Sequence, residues 1–151
     1  MGKKIIKDDR LVEDSWLLDL AAGQKLKVRG FSFHAGSQVP GPEMHVHAIN
    51  QCVELMTTHR AYGNGSLRTL DIGGGFPADY DRSGFDINAF CAPIREALAH
   101  LPSDVRVIAE PGRFMVASSG TALASVIGKA ERGGKPWYYL DDGIYGSYNG
   151  I

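Results

Sequence analysis

The chain has 151 residues, the size of one ordinary domain, and its 44% hydrophobic and 22% charged content is typical of a soluble globular protein. Basic and acidic residues nearly balance, at a net charge of −1, which argues against nucleic acid and an anionic membrane as partners. No apolar run approaches the roughly 20 residues of a membrane span, and two cysteines are too few for a disulfide framework. A reducing cytoplasm is the expected location.

Helices and strands are predicted to alternate along the first two thirds of the chain. Apolar residues at helical spacing predict helices over residues 11–22, with Gly23 placed to end it, over 43–60, and after a cap at Asp86. Strands are predicted over residues 26–33, 67–72 and 105–109. This alternation predicts an α/β fold with a parallel sheet. A (β/α)8 barrel of the TIM type has this organisation, and the resemblance described below implies that the chain is part of one.

Each predicted strand runs into residues that are suited to chemistry. The three exits read His-Ala-Gly-Ser at 34–37, Gly-Gly-Gly-Phe-Pro at 73–77 and Glu-Pro-Gly-Arg at 110–113. They recur at nearly equal intervals, one in each strand–helix unit. Because the carboxyl ends of parallel strands meet at one edge of a sheet, we expect the three exits to lie together there.

The glycine exit indicates an anion site. Gly73, Gly74 and Gly75 can turn adjacent backbone N–H groups inward as a phosphate cradle, although a tight turn without any ligand has the same sequence. Arg113 is a charged fork that suits phosphate oxygens. Glu110 can hold a ring nitrogen protonated, and His34 can lie against a flat ligand. These groups together describe pyridoxal phosphate, while a phosphosugar would also satisfy the loop and the arginine.

The last part of the chain differs in composition and in sequence pattern. Residues 115–129 are rich in Ala, Ser, Thr and Val, residues 132–135 read as a hairpin turn, and residues 137–140 read as a strand. We expect an antiparallel β region from residue 121 onward. The predicted organisation is a partial barrel over residues 1–118 and the beginning of a C-terminal β domain over residues 119–151.

The three exit motifs, in this order and spacing, resemble the signatures of the fold-type III pyridoxal-phosphate-dependent basic amino-acid decarboxylases. That family acts on ornithine, lysine, arginine or diaminopimelate. The Tyr-Tyr-Leu-Asp-Asp-Gly-Ile-Tyr-Gly-Ser sequence at 138–147 is most similar to the ornithine branch. The resemblance implies a homodimeric lyase that converts L-ornithine to putrescine in polyamine biosynthesis, with lysine and diaminopimelate as alternative substrates.

The resemblance also implies roles for individual residues. His34 would stack on the pyridine ring of the cofactor, and Glu110 would pair with its nitrogen. Tyr145 would lie near the dimer interface, close to the substrate. The phosphate would be bound by Ser37, Gly73, Gly74, Gly75, Gly112 and Arg113.

The catalytic residues of the family have no counterpart in this chain. The family attaches its cofactor to a lysine of an early barrel strand, and no lysine here follows such a strand. Cys52 and Cys91 fall on apolar helix faces and are expected in the core, so neither matches the family's catalytic cysteine. We therefore expect little or no decarboxylase activity from this chain alone. A non-catalytic, decarboxylase-like regulator and a truncated product are the alternative interpretations.

Three further polar residues receive structural interpretations. His45 and His47 are two positions apart on a predicted helix, so they face different ways, and both are expected to be exposed without binding a metal. Asp71, at the end of its strand, is predicted to be a structural carboxylate.

Overall fold

The computed structural model describes residues 15–59, 67–80 and 83–148. The chain divides into two compact units, Met1–Ala117 and Ser118–Ile151. The predicted first four residues of helix 11–22 and the last residue of helix 43–60 lie outside the described residues. Within the described residues, no helix combines the length and the apolar character that crossing a membrane requires.

The first unit alternates helices and strands, as predicted. Its three strands form one parallel sheet in chain order, with Phe31, Leu70 and Val107 in register across it. The elements are α1 (Ser15–Gly23), β1 (Gly30–Ser32), α2 (Glu43–His59), β2 (Thr69–Asp71), α3 (Ile87–Leu98), β3 (Arg106–Ile108) and α4 (Arg113–Val116).

The core of this unit lies between the sheet and helices α2 and α3. One face of α2 is buried at helical spacing and meets the two strand residues Phe31 and Leu70. Phe90 and Ile94 of α3 complete the same cluster. The buried apolar residues of α2 are Ala48, Ile49, Cys52, Leu55 and Met56.

The strands are shorter than the sequence predicts, and the reason is clearest at the first one. Residues 26–33 are predicted as a strand, but residue 26 still belongs to the turn that closes α1. The Leu26 amide donates to the Ala21 carbonyl, and the Lys25 amide donates to that of Ala22. Lys25 takes the left-handed position of this closing turn, at φ 58°, where glycine is usual.

Two local predictions are confirmed. Asp86 caps α3, because its side chain accepts hydrogen bonds from the amides of Asn88 and Ala89. In the second unit, β4 (Val126–Arg132) and β5 (Lys135–Leu140) pair antiparallel around the predicted turn. Gly133 and Gly134 both have positive φ there, as the tight hairpin turn requires.

Other local features differ from the predictions. The antiparallel region is expected from residue 121, but its first strand begins at Val126. Helix α4 and the 3-10 turn Ala117–Ser119 are not predicted, since elements of four and three residues are too short to show helical periodicity. Helix α4 begins at Arg113, which is the last residue of the Glu-Pro-Gly-Arg exit.

Candidate functional site

The three strand exits meet at one edge of the parallel sheet. Residue 34 follows β1, residues 73–75 follow β2 and residue 110 follows β3. Residues from all three exits line a cavity of about 240 Å³. The predicted residues among its walls are His34, Ser37, Gly74, Gly75, Glu110, Gly112 and Arg113. The remaining walls are Gln38, Phe76 and Pro111.

Every carbonyl of the glycine loop has a partner within the chain. The Glu110 amide donates to the Gly73 carbonyl at 2.7 Å, and the Val39 amide donates to that of Gly75 at 3.1 Å. Between them, the Nε2 atom of His45 donates to the Gly74 carbonyl at 3.0 Å. Gly73 and Gly75 both have positive φ, at 64° and 98°, so the loop conformation itself requires glycine.

Two backbone amides of the glycine loop remain available to a ligand when its carbonyls are bonded in this way. In a trans peptide the carbonyl of one residue and the N–H of the next residue point in opposite directions. A hydrogen bond that fixes the carbonyl therefore also fixes the direction of that N–H. Within residues 15–59, 67–80 and 83–148, the amides of Gly74 and Gly75 donate to no other group. Both residues line the cavity, and unpaired adjacent amides form the usual backbone cradle for an anion.

Gly73 has a different position from its two neighbours. Its amide donates to Oδ1 of Asp71 at 2.9 Å, and it is absent from the cavity walls. Asp71 therefore closes the turn that leads out of β2, which is the structural role predicted for it. Gly73 forms the base of the loop, directly bonded to the exit of β3 through Glu110.

The His34 ring is held in a defined orientation beside the loop. The Gly36 amide donates to its Nδ1 atom at 3.0 Å, so the neutral ring carries its proton on Nε2. That Nε2 atom lies 3.3 Å from the point where a side chain on Gly74 would begin. The imidazole is exposed and borders the central glycine, which leaves its face open to a flat ligand.

Charged groups of opposite sign lie on the wall formed by the third exit. The Glu110 side chain is exposed, whereas Arg113 is half-buried at the start of α4. Gly112, with φ 31°, makes the turn between them. The hydroxyl of Ser37 lies on the wall formed by the first exit. The cavity thus offers a cation, a hydroxyl and free amides to a phosphate, and a carboxylate to a basic nitrogen.

The prediction for His45 is wrong: the side chain is fully buried, at 0% exposure. Its ring packs among Phe33, Phe76 and Phe90, with the Phe76 ring centre 4.9 Å away. Helical spacing from Ala48 and Ile49 places residue 45 on the buried face of α2, a signal that the sequence contains. Burial lowers the pKa of His45, chiefly by desolvating its charged form.

Gln38 is a second residue whose part in the site the sequence does not reveal. Its side-chain amide donates to the Ala78 carbonyl at 3.1 Å and accepts from the Ala78 amide at 2.6 Å. This paired contact ties the exit of β1 to the segment that follows the glycine loop. No short-range pattern connects two residues so distant along the chain.

Two further residues from the sequence analysis are exposed to solvent. His47 is exposed on α2, as expected. Tyr145 belongs to the second unit, where its side chain is fully exposed. The turn before it is closed by Asp142, which accepts hydrogen bonds from the amides of Gly143 and Ser147.

Residues 10–117 match the model of a family described as "Pyridoxal-dependent decarboxylase, pyridoxal binding domain". The chain belongs to this family. The match covers all three strand exits and the whole sheet of the first unit, and the family predicted from the exit motifs is confirmed.

Relatives of this decarboxylase family align along most of the chain. A lysine/ornithine decarboxylase of Selenomonas ruminantium is 38% identical over 136 residues, which cover 89% of this chain and 34% of the relative. The ornithine decarboxylase of Mus musculus is 38% identical over 154 residues, covering 89% of this chain and 32% of the relative. The chain therefore spans about a third of the length of the curated relatives it matches.

Solved structures of the family share the fold. A lysine/ornithine decarboxylase of Vibrio vulnificus, complexed with putrescine, superposes with a TM-score of 0.76 at 48% identity, over 93% of this chain and 39% of that one. An arginine decarboxylase of Paramecium bursaria Chlorella virus, bound to agmatine, gives a TM-score of 0.66 at 31% identity, over 88% and 36%. The predicted fold class, part of a barrel followed by antiparallel strands, is confirmed.

Proposed function

We propose that this chain is the pyridoxal-phosphate-binding part of a decarboxylase that acts on a basic amino acid, with L-ornithine as substrate and putrescine as product. Residues 1–118 are then barrel, and residues 119–151 begin the C-terminal β domain. The observation that carries the proposal is the convergence of the three strand exits around one cavity, with unpaired amides, Arg113 and Glu110 on its walls.

The phosphate end of the cofactor fits the glycine side of the cavity. The amides of Gly74 and Gly75 are free of partners in the described part of the chain, and Ser37 and Arg113 add a hydroxyl and a cation. Charge-assisted hydrogen bonds from such groups are about twice as strong as neutral ones. Gly73 shapes the base of this cradle, and Gly112 brings its backbone to the opposite wall.

The ring end of the cofactor fits the remaining walls. Glu110 would accept a hydrogen bond from the protonated pyridine nitrogen, and His34 would lie against the ring face. Bound pyridoxal phosphate supplies an electron sink for the charge that remains when carbon dioxide leaves. The residues of this chain would bind the phosphate, orient the ring and keep the ring nitrogen protonated.

The choice of ornithine rests on two further observations. The sequence at 138–147 resembles the ornithine branch, and relatives named ornithine decarboxylase or lysine/ornithine decarboxylase are 38% identical to this chain. The same resemblance supports a homodimer with Tyr145 near its interface. The two cysteines are unpaired, which supports a reducing cytoplasmic location.

Cofactor binding tests this function directly. We expect titration with pyridoxal phosphate, followed by absorbance, to give saturable binding. Arg113→Gln should weaken it at least tenfold, roughly the loss of one charge-assisted phosphate contact. Arg106→Gln, at an exposed arginine of β3, is the matched control and should bind like the unmodified chain. Absence of saturable binding would overturn the proposal and favour a non-catalytic regulator.

Substrate choice is tested on the cofactor-loaded chain. Titration with putrescine, cadaverine and agmatine should give the tightest binding with putrescine. Tighter binding of cadaverine would indicate that lysine, and not ornithine, is the substrate. Carbon dioxide release from L-ornithine should be negligible, because no lysine of this chain matches the family's cofactor-attachment position. Release at a measurable rate, with cofactor attached to one specific lysine, would contradict that expectation.

A further inference from the structure

The buried His45 makes one directional contact, and that contact fixes its chemical state. A carbonyl oxygen can only accept, so the Gly74 carbonyl requires the proton of the neutral ring to be on Nε2. The other ring nitrogen, Nδ1, is buried without a hydrogen-bond partner in the part of the chain that the structure describes. The ring thus has one satisfied donor and one unsatisfied acceptor.

Packing alone does not explain a histidine at this position. Three phenylalanine rings surround it, and an apolar aromatic ring would fill that space without burying an unpaired nitrogen. Burying an unsatisfied polar atom lowers the stability of the folded chain, because the atom loses its hydrogen bonds to water. The hydrogen bond to the Gly74 carbonyl is what the imidazole offers and a phenylalanine cannot.

That hydrogen bond acts on the centre of the glycine loop. The carbonyls of Gly73 and Gly75 are held by backbone amides, so Gly74 is the glycine of the three whose carbonyl depends on a side chain. The Gly74 carbonyl and the Gly75 amide belong to one planar trans peptide. A bond that holds the carbonyl toward α2 therefore holds the amide toward the opposite side, and Gly75 lines the cavity.

We propose that His45 is a positioning residue for the phosphate cradle: by donating from Nε2 to the Gly74 carbonyl, it fixes the Gly74–Gly75 peptide with the Gly75 amide directed at the phosphate. The inference rests on the proposed function, because it concerns the phosphate of that cofactor. His45 contacts the loop from the buried side, away from the cavity, and would not contact the ligand.

Two substitutions separate the hydrogen bond from the packing. His45→Phe keeps an aromatic ring in the cluster and removes the donor, whereas His45→Gln keeps an N–H donor of similar reach. We expect His45→Phe to weaken binding of pyridoxal phosphate about three- to tenfold, the range for one ordinary hydrogen bond, and His45→Gln to restore most of the affinity. The same changes at the exposed His47 are the controls and should alter nothing.

The second probe is pyridoxal, which lacks the phosphate. Its affinity should be equal in the unmodified chain and in His45→Phe, because the proposed effect is confined to the phosphate end. Equal loss for both probes would indicate a general structural role and overturn the proposal, as would unchanged pyridoxal phosphate affinity in His45→Phe. If the unmodified chain binds no pyridoxal phosphate, the proposed function fails first and this inference with it.

The tautomer gives a test that needs no folded variant. Nitrogen chemical shifts of the histidine rings in the unmodified chain should show His45 neutral and protonated on Nε2 at pH 7. A ring protonated on Nδ1, or a ring averaging between both tautomers, would overturn the proposal whatever the variants do.

Discussion

The two units of this chain are stabilised in different ways. In the first, the sheet and helices α2 and α3 enclose fully buried side chains such as Ile49, Met56 and Leu70. In the second, all six residues of β5 are exposed, and in the described residues the buried hydrophobic side chains lie between Phe31 and Ala97, outside that unit. A hairpin with no buried face depends on its cross-strand contacts, which are marginal in water.

This contrast bears on where a binding site can be held precisely. The strand exits of the first unit are fixed from behind by the core: His45 reaches the glycine loop from α2, and Gln38 clamps Ala78. The turn that contains Asp142 in the second unit is closed by local hydrogen bonds, and the adjacent Asp141 bonds to Ser125 across the hairpin; these side-chain bonds are all exposed to solvent. A ligand site with defined geometry is therefore expected in the first unit.

The largest expected effect compares one leucine from each unit. Leu70 is fully buried in β2, and Leu140 is 41% exposed in β5. Leu70→Ala should lower the free energy of unfolding by about 2–5 kcal/mol, because it leaves a cavity in the core. Leu140→Ala should lower it by less than about 1 kcal/mol. Urea unfolding of both variants measures this, and equal losses would show that the second unit has a core of its own.

The next effect concerns ligand binding. A methyl group on Gly74 would lie 2.7 Å from the Glu110 carbonyl oxygen and 3.3 Å from Nε2 of His34, so Gly74→Ala must move two walls of the cavity. We expect a loss of pyridoxal phosphate affinity of more than about tenfold. Gly120→Ala, in the second unit, adds a methyl group in open space and is the matched control. Titration of both variants by absorbance checks the difference, and intact binding by Gly74→Ala would exclude the cavity as the site.

Acid should weaken the two units at different pH. Burial lowers the pKa of His45 below its ordinary value of 6.5, and this effect outweighs the hydrogen bond to the Gly74 carbonyl, which acts in the opposite direction. Below about pH 6.5 the unfolded chain therefore binds more protons than the folded chain. The free energy of unfolding decreases as the pH is lowered from about 6.5 to the pKa of His45 in the folded chain, and it does not decrease further on this account below that pKa. In the second unit, hydrogen bonds from Ser147 lower the pKa of Asp142, so its contribution is lost only from about pH 3.8 downward.

Urea unfolding at pH 7.5, 6.5 and 5.5 tests the His45 part of this difference. The fall in stability over that range should shrink in His45→Phe and persist in His47→Gln. A fall of the same size in His45→Phe would assign it to another group. The hairpin signals of the second unit should stay unchanged across these three pH values.

The smallest effect is expected within the hairpin. The Arg132 guanidinium lies 5.1 Å from the centre of the Trp137 ring and donates to the Tyr139 hydroxyl at 2.9 Å. Both contacts are exposed, so Arg132→Ala should cost the hairpin less than about 1 kcal/mol. Fluorescence of Trp137 in a Trp16→Phe background reports on this locally. A change in the unfolding of the first unit would contradict an effect confined to the hairpin.

Several features follow from the sequence because their causes are local. The Asp86 cap requires only a carboxylate next to the first amides of a helix, and the Gly133–Gly134 turn requires only two residues that accept positive φ. The alternation of apolar helices and strands predicts the parallel sheet, and the parallel sheet predicts that the three exits share one edge. The resemblance of those exits supplied the family.

The tertiary structure decided what depends on contacts between distant segments. The turn that closes α1 through Lys25 includes residue 26, which was predicted as strand, and the Gln38–Ala78 contact joins segments that are far apart in the chain. His45 is the clearest case: its spacing from Ala48 and Ile49 indicates the buried face of α2, but the spacing does not show how a polar ring is accommodated there. Its burial was decided by the aromatic rings that α3 and the loop bring around it, and by the Gly74 carbonyl, which accepts a hydrogen bond from its Nε2 atom.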